Sequence, residues 1–249
     1  MLQSCENSFV NTHPANTWRL PLSVEGISLL PPYEGSLPHV SDFSEENIHA
    51  LHCILSATSK SSIQTRSRLY VTRNRIISGS DYGFLEIFNP HLLPSSFPLY
   101  LNLSDLSKYL TSLGITSMPS YISYYVYDGI CLPRRLHHDT SYNSFKIFIA
   151  ISDIHDLSQG PYVYVRKSHL RKRYRLSDLI SHFNILKTGG DGYDAAWIEW
   201  DNMFYGYIHR SHCFISNQRG IHGDLPAHPS KKKIVLAICF NERCLSGLV

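Results

Sequence analysis

Between Tyr121 and Phe240 the chain breaks into short apolar runs, each stopped by a polar or glycine-bearing turn. They are Tyr121 to Tyr127, Phe145 to Asp153, Tyr162 to Val165, Cys213 to Ser216 and Lys233 to Phe240. Val, Ile, Tyr and Phe at that density form strands, and strands so short must bury one another's apolar faces. Helical spacing is confined to the first half. Ile48, Leu51 and Leu55 recur after Asp42, Ser44, Glu45 and Glu46, which predicts a helix over 44–58 with Asp42 or Ser44 as cap. A second helix is expected over 104–113, capped by Ser104 and stopped at Gly114, with Leu106, Tyr109, Leu110 and Leu113 on one stripe. Many short strands behind a helical beginning point to a mainly β fold, a jelly-roll core with helices packed outside.

Chemistry concentrates where two of these runs begin or end. In Leu136-His137-His138-Asp139-Thr140, His137 and Asp139 stand two apart, which puts an imidazole and a carboxylate on one face of a strand while His138 points the other way. A third candidate ligand, His222, sits in a glycine-bounded turn, Gln218-Arg219-Gly220-Ile221-His222-Gly223. Two histidines and one carboxylate form a facial set that suits a non-haem Fe(II) centre. Taken singly, His137 and Asp139 read as a hydrogen-bonded surface pair and His222 as a turn cap. Their order, each at the edge of an expected core strand, favours the metal.

The rest of the chain is less specific. Residues 1 to 40, rich in Pro, Ser and Asn, read as an extended arm with a short strand at Gly26 to Leu30. Leu69 to Ile77 and Tyr82 to Phe88 form a hairpin signature around Ser78-Gly79-Ser80-Asp81. Phe145 to Asp153 and Tyr162 to Val165 read as a second hairpin with a broad loop through Gly160-Pro161. Ser177 to Phe183 predicts a short helix, and Thr188 to Gly192 a flexible connection. One domain is expected over 1–249: supporting elements in 1–115 and the core, with its metal motifs, in 116–249.

Composition excludes more than it selects. A net charge of +3 with 17% charged residues marks no nucleic-acid partner. The six cysteines include no CxxC pair, which argues against a structural zinc site and a redox dithiol. Reduced thiols, the lack of a secretory pattern in Met1 to Val24 and the lack of a run of roughly 20 apolar residues predict a soluble, cytoplasmic protein with no membrane partner.

Taken in order, the His137-x-Asp139 motif, the strand after it, Gly160-Pro161 with Val163 and Val165, Ser168-His169, and Arg219-Gly220-Ile221-His222-Gly223 resemble the phytanoyl-CoA dioxygenase family. The resemblance covers Tyr121 to Phe240. It implies a double-stranded β-helix, Fe(II) held by His137, Asp139 and His222, and 2-oxoglutarate as co-substrate. It implies hydroxylation of a small metabolite with succinate and carbon dioxide as co-products, the carboxylate at Asp139 favouring hydroxylation over halogenation. Lys233 falls where the family places an arginine against 2-oxoglutarate, a departure that exchanges a planar fork for a point charge. Lys233 shares parity with Val235 and Ala237, Lys232 with Ile234 and Leu236; parity alone does not choose the inward set, and three adjacent lysines also suit a solvated edge. Phe148 matches a position beside the co-substrate and equally suits a core phenylalanine; Asp153 matches an acidic residue at a strand end, where a turn wants one anyway. Arg134-Arg135 and the cluster Lys167, Arg171, Lys172, Arg173 and Arg175 have the charge density to receive an anionic substrate, although a solvated loop is the commoner use of such a run. Two other readings stand beside the hydroxylase: a non-catalytic jelly-roll binding protein, and a cupin-like metalloenzyme that does not use 2-oxoglutarate.

Overall fold

The computed structural model describes residues 19–58, 70–73, 84–128, 136–139, 144–170 and 202–241. They form helices α1 (Arg19–Glu25), α2 (Glu45–Thr58) and α3 (Leu103–Ser112). The strands are β1 (Ile27–Leu30), β2 (Tyr70–Arg73), β3 (Leu85–Phe88), β4 (Tyr121–Asp128), β5 (Ser144–Ala150), β6 (Tyr162–Val165), β7 (Met203–Tyr205), β8 (Cys213–Asn217), β9 (His222–Asp224) and β10 (Lys232–Asn241). Seven lie side by side in the order β1-β8-β5-β10-β4-β3-β2, and three make a smaller sheet, β7-β6-β9. Every pairing is antiparallel. The described strands form two sheets, not a closed barrel.

The long apolar runs follow from burial on both faces of the large sheet. Ile147 and Ile149 of β5 and Ile234, Leu236 and Ile238 of β10 share one apolar cluster with Leu51 of α2 and Leu106 and Leu110 of α3. Their neighbours Phe148, Ala150, Val235 and Ala237 point the other way and share a second cluster with Tyr162 and Tyr164 of the small sheet. Period-two alternation therefore sends every second side chain of β5 and β10 toward the space between the sheets. Lys233 goes with Val235 into that space, where it is buried. Lys232 goes to the helical side, and its Nζ donates to the Phe43 carbonyl at 2.9 Å.

The expected helix over 44–58 is α2, with Ser44 Oγ accepting the Asn47 N–H at 3.2 Å. In α3 the cap is Asn102, not Ser104: the Asn102 side chain accepts the Ser104 N–H at 3.0 Å, because Asn102 has extended backbone and a short carbonyl that reaches the first turn. The arm expected through residue 40 contains α1, with Pro21 in the first turn, where its missing N–H does no harm, and Leu22 buried in the helical cluster. β1 is the expected short strand; residues 1–18 lie outside the described residues.

The strands expected around Ser78-Gly79-Ser80-Asp81 pair from Tyr70↔Phe88 to Arg73↔Leu85, and the turn itself lies outside the described residues. The second expected hairpin is not one. Both edges of β5 are taken, by β8 and β10, so β6 finds no open edge there and joins β7 and β9 instead. The Ser177 to Phe183 helix and the Thr188 to Gly192 connection lie outside the described residues. Among the described residues no helix is long and apolar enough to cross a membrane.

Candidate metal centre

His222 begins β9; the turn expected around it is a strand start. On one side it pairs with Tyr164 of β6. On the other it forms an isolated bridge with His137, each N–H donating to the other's carbonyl at 2.8 Å. Directly opposed residues of an antiparallel pair send their side chains to the same face. The two imidazoles consequently meet, with ring centroids 4.7 Å apart. The Asp139 N–H donates to the Gln218 carbonyl at 3.0 Å, which carries the pairing onward and returns the carboxylate to the same face. His137 Nε2 lies 3.2 Å from Asp139 Oδ1, and His222 Nε2 lies 3.7 Å from Asp139 Oδ2. One ligand atom from each of the three residues lies within 4.8 Å of the others.

The donor set fits a divalent metal. His222 Nδ1 is 2.8 Å from the Gly220 carbonyl, so the ring's proton belongs on Nδ1 and Nε2 keeps its lone pair. Burial pushes the His222 imidazole down from its ordinary pKa and keeps it neutral, against the opposing pull of Asp139. Metal bonds of about 2.1 Å at right angles put ligand atoms ~3.0 Å apart, a small contraction from the observed spacings. Burial alone would raise the Asp139 carboxyl, yet the Lys146 ammonium and then the bonds to His137 and His222 hold it well below the usual carboxylate range. Lys146 Nζ donates to Asp139 Oδ2 at 2.6 Å. Burial would lower the lysine's pKa, and Asp139 reverses that shift.

The close approach behind His222 makes Gly220 irreplaceable. A Cβ there would fall inside the Tyr164 hydroxyl, and Tyr164 is fully buried and cannot retreat. Gly220→Ala is expected to lower stability by about 1–3 kcal/mol, read by urea unfolding of metal-free protein; a wild-type midpoint would refute the constraint.

The centre opens on a cavity of 230 Å³ between the two sheets. Its apolar wall includes Tyr125, Phe148 and Phe214, with Phe148 stacked on Phe214 at a centroid distance of 5.0 Å. Its polar groups include Glu86, Lys146, Gln218 and Lys233. Lys233 is already engaged: its Nζ donates to the Gly160 carbonyl at 2.6 Å, pairs with Asp224, and sits 3.9 Å from the centre of the Tyr127 ring. Gln218 Nε2 donates to Ser216 Oγ at 2.6 Å, while its Oε1 is buried without a hydrogen-bond partner among the described residues. Of the basic cluster, Lys167 is described and pairs with Glu25 at 3.6 Å; Arg134, Arg135, Arg171, Lys172, Arg173 and Arg175 lie outside the described residues.

Sequence reasoning passes over Lys146, Glu86, Gln218 and Asp224. Lys146 shares strand parity with Phe148, and Asp224 shares it with His222, so both carried a usable signal. Burial pushes the Glu86 carboxyl up to about 7 from an ordinary 4.5. The native chain then keeps a proton that the unfolded chain gives up, so the Glu86 contribution is complete below the unfolded value and is lost as pH rises through the folded one. Wild-type stability should therefore fall relative to Glu86→Gln across that window, measured by urea unfolding at its two ends; parallel profiles would exclude the shift.

The fold matches solved structures at low sequence identity. EvdMO1 superposes with a TM-score of 0.54 at 12% identity over 92% of this chain and 50% of that one, so the chain spans half of that protein's length. AviO1 from Streptomyces viridochromogenes Tue57 gives 0.51 at 12% identity over 94% of this chain and 97% of that one. SnoK, the non-haem alpha-ketoglutarate-dependent carbocyclase from nogalamycin biosynthesis, gives 0.52 at 13% identity over 93% and 87%. At these identities the likeness is one of fold, the double-stranded β-helix type. No protein-family model matches the chain, and no curated protein sequence matches it.

Proposed function

We propose that this chain is an Fe(II)- and 2-oxoglutarate-dependent dioxygenase of the phytanoyl-CoA dioxygenase type that hydroxylates a small metabolite. The observation that carries the reading is the convergence of His137, Asp139 and His222 on one point beside the cavity between the two sheets. A ketoglutarate-dependent enzyme on a similar fold supports it. In this reading His137 Nε2, His222 Nε2 and one Asp139 oxygen hold the metal, and Lys146 keeps the other oxygen turned aside. Iron with 2-oxoglutarate and dioxygen supplies the oxidation and releases succinate and carbon dioxide. Lys233 receives the co-substrate's distal carboxylate, and Phe148 packs beside it. The aromatic wall excludes water, which strengthens each charge interaction inside. An anionic substrate is favoured by the arginine-rich stretches named above.

The test is succinate formation from 2-oxoglutarate with added Fe(II) and dioxygen. Wild type is expected to turn over, and His137→Ala and Asp139→Ala to fall to background. If all three bind iron equally and none forms succinate, the hydroxylase reading fails. The ion pair between Lys233 and Asp224 favours one alternative, a metalloenzyme on this fold that does not use the keto acid. In that case iron binding would still require His137 and Asp139 while 2-oxoglutarate left the metal centre's spectrum unchanged.

A further inference from the structure

A second group of two histidines and one aspartate lies on the outer surface. The isolated bridge between Ile154 and Ile208 is hydrogen-bonded both ways, at 2.8 and 3.0 Å. Both isoleucines are buried and line the cavity. Alternation then sends the flanking side chains to the opposite face, so Asp153 and His155 emerge beside His209. His209 Nδ1 is 3.6 Å from Asp153 Oδ1, and His155 Nε2 is 4.0 Å from Asp153 Oδ2. The two imidazole centroids are 4.9 Å apart, and one ligand atom from each residue lies within 4.8 Å of the others.

We propose that Asp153, His155 and His209 bind a divalent transition-metal ion of the zinc class, in a site separate from the candidate catalytic centre. The ligands are held from behind. Asp153 Oδ1 accepts the Arg210 N–H at 2.8 Å. Gln159 closes the turn, its Oε1 accepting the His155 N–H at 2.7 Å and its Nε2 donating to the Asp153 carbonyl at 2.6 Å. The Arg210 guanidinium does not compete: it donates to the carbonyls of Leu37, Pro38 and Ile151 at 2.8 to 2.9 Å. Tetrahedral zinc with bonds of about 2.0–2.1 Å sets ligand atoms ~3.4 Å apart, within a small rotation of these exposed side chains. Imidazole with carboxylate selects Zn(II), Ni(II) or Cu(II) over Mg(II) or Ca(II), and the open outer side leaves a position for water. The consequence reaches inward. An ion here would fasten the segment after β5 to the segment before β8 behind Ile154 and Ile208, stiffening one wall of the cavity.

Calorimetric titration of the full chain with Zn(II) tests this, with bound metal counted after gel filtration. His155→Ala/His209→Ala is expected to lower the stoichiometry by one equivalent, whatever the wild-type count. His137→Ala/His222→Ala should retain one equivalent and a zinc-dependent rise in Tm. An unchanged count in His155→Ala/His209→Ala overturns the proposal. The two side chains replaced on the outer surface, His155 and His209, are exposed, so their removal leaves the core untouched. A fall from one equivalent to none in that variant would keep this site and remove zinc from the inner one, so the two sites fail separately.

Discussion

Asp139→Ala is expected to abolish iron binding and to lower the stability of the metal-free protein by about 1–3 kcal/mol, the cost of leaving a partly buried charged donor without its partner. The first effect is ligand loss. The second arises from Lys146, whose side chain is 15% exposed and bonds Asp139 Oδ2 at 2.6 Å. Without Asp139 an ammonium is left in the cavity by the Tyr125 ring, with Glu86 to answer it, because the other lining carboxylate, Asp224, is engaged by Lys233. Burial raises the Glu86 carboxyl to about 7, so near neutral pH it carries only part of its charge and answers only in part. Asp139→Ala/Lys146→Met should regain most of the lost stability without regaining iron, since an apolar pair of similar volume removes the orphaned charge. Denaturant unfolding of the four metal-free proteins closes the cycle. An Asp139→Ala midpoint equal to wild type would show that Lys146 is not held by Asp139.

The same ion pair marks where reading the sequence stops. The runs that become β4, β5, β6, β8 and β10 were legible because strand formation depends on local composition and a period of two. The grouping of His137 with Asp139 was legible for the same reason, and His222 through its place between two glycines and an apolar run. Pairing was not. Whether β6 returns to β5 depends on which edges β8 and β10 have already taken, and nothing within either run records that. The inward face of β10 was equally hidden, because the large sheet is apolar on both sides and alternation between two buried faces leaves no polar stripe to read. Lys146 interrupts an otherwise apolar strand, a conflict that a counter-charge resolves, and that counter-charge, Asp139, stands seven residues earlier in the chain. The cap of α3 shows the smaller kind of error: Asn102 and Ser104 both have capping side chains, and backbone conformation decides between them.

Lys233→Ala is expected to raise the apparent 2-oxoglutarate requirement by roughly 30-fold or more, the lower bound for truncating one partner of a buried charge pair. Iron binding should stay intact, since Lys233 is no ligand. The lower bound applies because the ammonium is not idle: Asp224, the Gly160 carbonyl and the Tyr127 face already engage it, so an incoming carboxylate gains only the difference between its own attraction and theirs. This yields a second, opposite expectation. Asp224→Asn removes the competing charge, keeps the shape and should lower the requirement for 2-oxoglutarate. An arginine's planar fork would gain bidentate contact, but Lys233 is packed with a side chain only 4% exposed, so the larger group has to displace the Tyr127 ring or the Gly160 turn. Measured as succinate formation against 2-oxoglutarate concentration, the alanine and asparagine variants must therefore move in opposite directions. If Lys233→Ala loses stability while its 2-oxoglutarate dependence stays at the wild-type value, the lysine is an internal counter-ion for Asp224 and another group must receive the keto acid.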